Sequence, residues 1–416
     1  MTGQSVENLE ETLNLTLERH AERAPAPAPD LIERVETRYR KRRRARMTGA
    51  AAAMVLVLGG TVFGGWSSAG PDRTVGPADT AASPLPPPEE AAKDPFEITP
   101  IEKLWPKAVH RIPARLPDGT EIAPRLMIDE RTVLVNSWAG FETVSALYTY
   151  DLRTKKAAKI IDVVTPAGSK YTAGGFAVGE GRVVWSTVSA DRTSTIWSAP
   201  VGGGAAVKAV ERFSGEIGAR DTLTVSGGRI YWSEFSAGVY TAPLAGGTAE
   251  LVPGTEKERL VRWPWAGSPV PDRSQDQNRV QITGRELRNL ETGEKRTVAF
   301  AAGGTSWNCK ITWCLDRKSN SITTRNGTGT VRLHGHLMDD EVALDRFAVS
   351  MADTEGGAEM LLHDLRTRRT GSFATVPGYD HGSGPVYYGA VEGPDTRMYT
   401  APVAGGHLIV DLKAID

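Results

Sequence analysis

Two hydrophobic periodicities divide the chain. From about residue 101 onward, apolar positions come in short runs rich in Val, Ile, Leu, Tyr and Trp, separated by glycine-rich or charged turns, which predicts many short strands. Before residue 67 the spacing differs. Val6, Leu9, Leu13 and Leu17 recur at three- and four-residue intervals and lay one narrow apolar stripe along a helix. Ala24–Pro29 alternates alanine and proline and breaks it. Asp30, with Glu33 three residues on, opens a second helix in the manner of a capping box, with Leu31, Ile32, Val35 and Tyr39 sharing a face. Met47–Trp66 then runs twenty residues without a charge, enough as a helix to cross the roughly 30 Å hydrocarbon core of a bilayer.

Charge orients that segment. Seven of the nine residues Arg38–Arg46 are Arg or Lys, whereas Arg73 is the only basic residue from Ser67 to Glu90. Positive charge stays on the cytoplasmic side, so residues 1–46 are expected inside the cell and the bulk of the chain outside it. A cleaved signal peptide is the alternative reading, because Ser67-Ser68-Ala69 offers small residues where a peptidase cuts; the 46 residues before the apolar run are far longer than an ordinary n-region. The basic run also suits contact with lipid headgroups, and the two short helices suit either a headgroup surface or a cytoplasmic partner. Residues 67–100 follow as an extended linker: eight of the thirty residues Pro71–Pro100 are proline and hydrophobic periodicity vanishes.

Residues 101–416 repeat. Arg182-Val-Val-Trp185-Ser precedes Ile196-Trp-Ser-Ala-Pro200-Val-Gly-Gly-Gly204; Arg229-Ile-Tyr-Trp232-Ser-Glu234 precedes Val239-Tyr-Thr-Ala-Pro243-Leu-Ala-Gly-Gly247; Val386-Tyr-Tyr388 precedes Met398-Tyr-Thr-Ala-Pro402-Val-Ala-Gly-Gly406. A second turn type closes other units, at Asp151-Leu-Arg-Thr, Asn289-Leu-Glu-Thr-Gly293 and Asp364-Leu-Arg-Thr. Second strands anchored at Val133, Val183, Ile230, near Pro264, and at Ile311, Phe347 and Val386 give a mean pitch of about 42 residues, the length of a four-stranded propeller blade. The expected fold is therefore all-β: a β-propeller of seven blades, with six as the alternative because the unit around Trp263-Pro264-Trp265 is irregular. Leu408-Ile409-Val410 and the stretch Val109–Leu116 are placed to complete one blade from both chain ends.

The Ile-Tyr-Trp-Ser-Glu and Val-Tyr-Thr-Ala-Pro-Leu-Ala-Gly-Gly frame resembles bacterial TolB-like propellers and, more faintly, the YWTD blades of receptor ectodomains. Only the unit at Tyr231 approaches YWTD, with Glu234 in place of the aspartate. The resemblance implies recognition of a protein, peptide or glycan by the propeller's mouth or rim, and so a membrane-anchored binding, sensing or scaffold module of the bacterial cell envelope. An envelope hydrolase or lyase acting at the channel is the competing class.

Composition adds little chemistry. The chain carries a formal net charge of −1 over 416 residues, and removing residues 1–46, with ten basic and eight acidic side chains, leaves the rest near −3. Such a balance supplies no positive field for nucleic acid. No Gly-x-Ser-x-Gly elbow occurs. Ser189–Thr195 has a faint likeness to a sialidase Asp box and is read as a hairpin turn. His334 and His336, on either side of one glycine, would share a face of a strand and could ligate a metal with the nearby Asp339, Asp340 and Glu341; Asp380-His381, in a glycine-rich loop, could act as a base with its orienting carboxylate. These four, Asp380, His381, His334 and His336, are the ligand candidates. No cofactor is implied, and catalytic residues are not identifiable. Cys309 and Cys314 are the only cysteines; on a straight strand they would lie about 16 Å apart, so a disulfide requires a turn through Lys310–Trp313, two buried thiols being the alternative.

Overall fold

The computed structural model describes residues 87–89, 96–140, 143–164, 174–189, 193–214, 223–233, 238–267, 282–303, 305–339, 341–354, 357–373, 376–377 and 397–416. All of them fall within one unit, Ala81–Asp416. The helices expected in residues 1–46 and the span 47–66 lie outside the described residues. Among those described, no helix is long and apolar enough to cross a membrane; helical structure is confined to Ile101–Leu104 and the single turn Leu412–Ala414.

The strands form seven sheets, and the chain meets them in ring order. Blade 1 is Ile122–Met127, Thr132–Gly140, Thr143–Asp151 and Ala157–Asp162. Blade 2 runs from Gly174 to Ser214, blade 3 from Thr224 to Leu251 and blade 4 from Arg259 to Thr297. Blade 5 holds Trp307–Cys309, Trp313–Asp316, Ser321–Thr324 and Val331–Arg332, and Ile282–Thr283, from within the blade 4 stretch of the chain, pairs parallel with the first of them. Blade 6 holds His336–Leu337, Phe347–Thr354, Gly357–Asp364 and Arg369–Ser372. Blade 7 joins Met398–Val403 and Gly406–Asp411 to Val109–Pro113, which pairs antiparallel with the last strand.

Alternation along each strand explains why the blades stand face to face. Successive side chains point to opposite faces, so Val133 and Val135 enter the cluster shared with blade 7 (Ile112, Met398, Ile409), whereas Leu134 enters the cluster shared with blade 2 (Phe176, Val183, Trp185). Val184 faces the other way, towards Ile230 and Trp232 of blade 3. Val239 meets Leu260 and Ala266 at the next junction, Trp265 and Leu287 meet Ile311, and Leu315 and Ile322 meet Val342 and Ala348. Phe347, Val349 and Leu362 meet Tyr399, Leu408 and Val410. Every blade thus buries both faces, and the seven junctions close a ring. Among the described residues, the clusters that join blade 4 to its neighbours are small ones, with Val298, Phe300, Trp307, Cys309 and Cys314 forming a further cluster on the blade 5 side. Two of the expected anchors sit one step off: Pro264 and Ile311 lie in the turns that precede the strands Trp265–Gly267 and Trp313–Asp316. Val386 lies outside the described residues.

The ends of the blade hairpins are held by a repeated bracket. In blades 1, 6 and 7 an aspartate ends one strand, and the residue opposite it is preceded by an arginine: Thr132 lies opposite Asp151, Phe347 opposite Asp364, and Met398 opposite Asp411. Arg131 pairs with Asp151. Arg346 grips Asp364 bidentately at 2.9 and 2.6 Å, and Arg397 grips Asp411 at 2.7 and 2.6 Å. The same carboxylates accept backbone N–H groups of the following turn, from Arg153 and Thr154, Arg366 and Thr367, and Lys413. Burial would push the Asp364 carboxyl up, but the hydrogen bonds from Arg346 and Thr367 and the guanidinium charge hold it below its ordinary value.

The last residues of the expected linker 67–100 belong to the folded unit. Phe96 is buried in the junction between blades 5 and 6, Glu97–Pro100 adds a parallel strand beside Arg369–Ser372, and Ile101 and Trp105 pack between blades 6 and 7. An edge strand tolerates proline because only one side of its backbone is paired, so proline content does not exclude these residues from the sheet. Gly371 makes the room: a Cβ there would lie 2.7 Å from the Trp105 ring and 2.9 Å from Ile101.

Removing one partner of a buried ion pair strands the other. Arg397→Met should therefore lower unfolding stability by about 3–5 kcal/mol in urea titrations, and adding Asp411→Asn, which keeps the turn bond while removing the stranded charge, should recover part of the loss. Equal stability of the single and double variants would refute the bracket's role.

Candidate binding cleft

Of the ligand candidates drawn from sequence, His334 and His336 are described, and they do not form a pair on one strand face. Gly335 adopts φ +77°, which interrupts the strand, so His334 lies outside the pairing that begins at His336 and the two imidazoles do not share a strand face. Both side chains are exposed. Asp339 is engaged elsewhere, accepting the Tyr399 hydroxyl at 2.8 Å; burial first, then the charge of Asp339, raises that phenol's pKa well above its ordinary value. Among the described residues, no group of three His, Cys, Asp or Glu side chains stands together as metal ligands. Asp380 and His381 lie outside the described residues. Cys309 and Cys314, directly opposite on the hairpin, form a disulfide with Cα atoms 3.9 Å apart, and the turn Lys310–Trp313 closes with a 2.8 Å backbone hydrogen bond.

A serine and a histidine do meet in blade 6, and their geometry argues against nucleophilic chemistry. His363 is fully buried, with Nε2 2.7 Å from Ser350 Oγ and Nδ1 2.8 Å from Thr370 Oγ1. Ser350 donates its own proton to the His334 carbonyl. The serine oxygen must then accept from Nε2–H while Nδ1 accepts from Thr370, the reverse of a base drawing a proton from a nucleophile. Burial, with a smaller contribution from the charge of His334, pushes the His363 pKa down to about 3. This chain of hydroxyl, imidazole and hydroxyl is a polar staple across three strands, closed over by the edge of Phe96 at 5.4 Å.

A shallow recess lies on blade 5. A cleft of about 230 Å³ is lined by Trp307, Asp316, Ser319, Ser321 and Thr330, and its other wall is Pro87–Glu89. Two hydrogen bonds hold that segment. Glu89 N–H donates to the Gly327 carbonyl at 2.7 Å, and Glu89 Oε2 accepts from Gly329 N–H at 2.8 Å. Gly327, at φ +80°, admits it, since a Cβ would stand 3.2 Å from Pro88 Cα. At the base sits Asp316, 1% exposed, whose carboxylate accepts from Lys318 N–H at 3.0 Å and from the Ser319 hydroxyl at 2.5 Å. Behind the cleft the buried Arg325 guanidinium ties blade 5 to blade 4 by donating to the carbonyls of Lys310, Gly284, Arg285 and Arg296 at 2.6–3.0 Å. Burial, then the nearby Arg296 charge, lowers its pKa to about 10.

No protein-family model matches the chain, and no curated protein matches it. Solved structures to which it is similar include TolB from Acinetobacter baumannii, at 12% identity over 62% of this chain and 56% of that one, with a TM-score of 0.32. The present chain thus spans little more than half of that protein. YCF48 bound to D1 peptide is 10% identical over 73% of this chain and 97% of that one, TM-score 0.42. Oligogalacturonate lyase in complex with manganese is 12% identical over 73% and 90%, TM-score 0.38.

Two outcomes test this description. Gly327→Val should eject Pro87–Glu89 and speed proteolytic cutting of residues 81–95 while the disulfide hairpin stays protected; unchanged cutting would show that the segment is not held there. For His363, the unfolded chain takes up a proton near 6.5 that the folded chain refuses until about 3. Its contribution to stability is complete above that window and falls as pH drops through it, by at most about 1.4 kcal/mol per pH unit. His363→Leu should flatten the acid limb of stability against pH, whatever its effect at neutral pH; an unchanged slope would contradict the buried neutral imidazole.

Proposed function

We propose that this chain is a binding module: a seven-bladed propeller that captures a protein or peptide partner outside the cytoplasm and is tethered to the cell membrane by residues 47–66. The observation that carries the binding reading is the blade 5 cleft, where an extended segment is already gripped through its backbone amide and an acidic side chain. Backbone hydrogen bonding plus side-chain pockets is how surfaces recognise extended peptides. The polar staple of blade 6 supports the same side of the choice, because the one described serine–histidine pair is sealed and oriented against nucleophilic attack.

The tether is supported by sequence: twenty uncharged residues follow a basic run, the pattern of a span whose N-terminal side stays in the cytoplasm. In this reading the proline-rich residues from Pro71 to about Pro86 are the spacer, residues 1–46 contact headgroups or a cytoplasmic partner, and the propeller serves sensing or scaffolding in the cell envelope.

Crosslinking in intact cells, followed by mass spectrometry, should return a protein partner linked to the propeller. Deleting residues 47–66 should move the chain from the membrane fraction to the soluble one. Recovery of no partner, together with turnover of a glycan by the purified chain, would overturn the binding reading; a deletion variant that stays in the membrane fraction would overturn the tether.

A further inference from the structure

The third strand runs the same way in every blade of a propeller, so the turns that leave it all lie on one side of the ring. Their charge is not evenly shared. In blades 2, 3 and 5 the turns 201–206, 244–249 and 326–330 hold no charged residue, and in blade 4 the turn 290–294 holds two acids and no base. In blade 1 the turn carries Arg153, Lys155 and Lys156; in blade 6 it carries Arg366 and Arg368, with Arg369 opening the next strand. In blade 7 the strand ending at Asp411 stands in the same register as those ending at Asp151 and Asp364, and Lys413 follows it. All seven of these residues are exposed. Among the described residues none of them forms an ion pair.

Blades 6, 7 and 1 are consecutive around the ring, and their turns touch. Lys155 Nζ donates to the Arg111 carbonyl on the outer strand of blade 7 at 3.5 Å, and Arg346 of blade 6 donates to the main-chain oxygens of Ile415 and Asp416 at 3.0 and 2.8 Å. The seven cations thus belong to one surface. The bracket keeps it positive: Asp151, Asp364 and Asp411 are neutralised by Arg131, Arg346 and Arg397, so they cap the turns without cancelling the cations beyond them. The exposed acids nearby are fewer, namely Asp129 and Glu130 before Arg131, Asp416, and Glu97 opposite Arg369, while Asp345 is engaged by Arg262 at 3.5 Å. Resting on the tether proposed above, we infer that this face of blades 6, 7 and 1 docks on the anionic headgroups of the lipid bilayer. Cations spread over three blades suit many charges presented in a plane better than one small anion, and clustered Lys and Arg are drawn to a negatively charged membrane surface. The approach to the ring favours that partner over a soluble polyanion. It lies along the same blades, with Glu97–Pro100 on blade 6 and Val109–Pro113 on blade 7. The twenty residues 67–86 between the span and the pinned Pro87 reach at most about 70 Å, which holds the face near headgroups at high effective concentration.

The test uses the full chain reconstituted into nanodiscs of phosphatidylcholine alone or mixed with phosphatidylglycerol. The native cysteines are joined, so a single added cysteine takes a fluorophore: Thr154→Cys on the basic face, and as control Ala404→Cys, on the blade 7 hairpin at the other end of its strands. A quencher on the headgroups should dim the Thr154→Cys label more than the Ala404→Cys label, and only when phosphatidylglycerol is present. Raising salt to 1 M, which shortens the Debye length to about 3 Å, should abolish the difference. The combined variant Arg153→Gln, Lys155→Gln, Lys156→Gln, Arg366→Gln, Arg368→Gln and Lys413→Gln should abolish it too, with an unchanged melting temperature. Equal quenching of the two labels, quenching that ignores phosphatidylglycerol, or quenching that survives the six substitutions would overturn the proposal. No effect of phosphatidylglycerol together with saturable binding of heparin would assign the face to a soluble polyanion and overturn it as well. Incorporation separates the two claims: a chain that does not enter the discs sinks the tether, and the same labels then decide the face with phosphatidylglycerol vesicles added to the soluble chain. A chain that enters without a difference between the labels leaves the tether standing and removes this face from the membrane.

Discussion

The pairing of Val109–Pro113 with Gly406–Asp411 is the contact on which the ring depends. A four-stranded blade is too thin to bury both faces by itself, so each relies on a neighbour on either side. Were blade 7 left open, the clusters it shares with blades 1 and 6 would each lose a wall, and two apolar faces would meet water. The join is correspondingly close. Gly406 approaches the Ile112 carbonyl so tightly that a Cβ would sit 2.0 Å from it, and Asp411 of the same strand is fixed by Arg397 and by its own amide bond to the Ala108 carbonyl at 2.8 Å. Chain ends far apart in sequence thus become one sheet, and closing that long loop is an entropic cost offset by all seven junctions together.

Within the ring the blades use two ways to finish a hairpin. Where the strand ends in aspartate, a guanidinium and the turn amides saturate the carboxylate. Where it ends in Ala-Pro and a glycine turn, as at Pro200 and Pro243, the residue directly opposite is itself an arginine. Arg182 donates to Ser198 Oγ and to the Ser198 carbonyl, and Arg229 to Thr241 Oγ1 and Glu250. Both solutions leave no buried charge without a partner, the condition for tolerating polar groups at a blade end. Three blades in succession are also strapped on the outside, by Pro87–Glu89, Glu97–Pro100 and Val109–Pro113, so the approach to the propeller is part of its structure.

Much of this was legible in the residues. The recurring Ala-Pro-Gly-Gly and Asp-Leu-Arg-Thr turns, at a pitch near 42, give the blade count and the all-β class, because turn chemistry and period-2 alternation are local. The match between Leu408-Ile409-Val410 and Val109–Leu116 was also visible as two apolar runs in need of partners. The cleft was not. Pro86-Pro87-Pro88 reads as spacer, since proline content reports stiffness and not contact. The two histidines misled for a definite reason: same-face geometry requires an unbroken strand, and Gly335 at φ +77° breaks it.

Sequence by itself determined the periodicities: helical stripe, uncharged span, basic flank, proline-rich approach and repeating strands, because each is written in neighbours only a few residues apart. Tertiary structure alone decided which charges face which. Arg131 and Asp151, Arg346 and Asp364, and Arg397 and Asp411 stand 20, 18 and 14 positions apart in the chain, and only strand register sets an arginine beside an aspartate. Register is a property of paired strands, fixed by which faces must be buried, and no single stretch of sequence contains it.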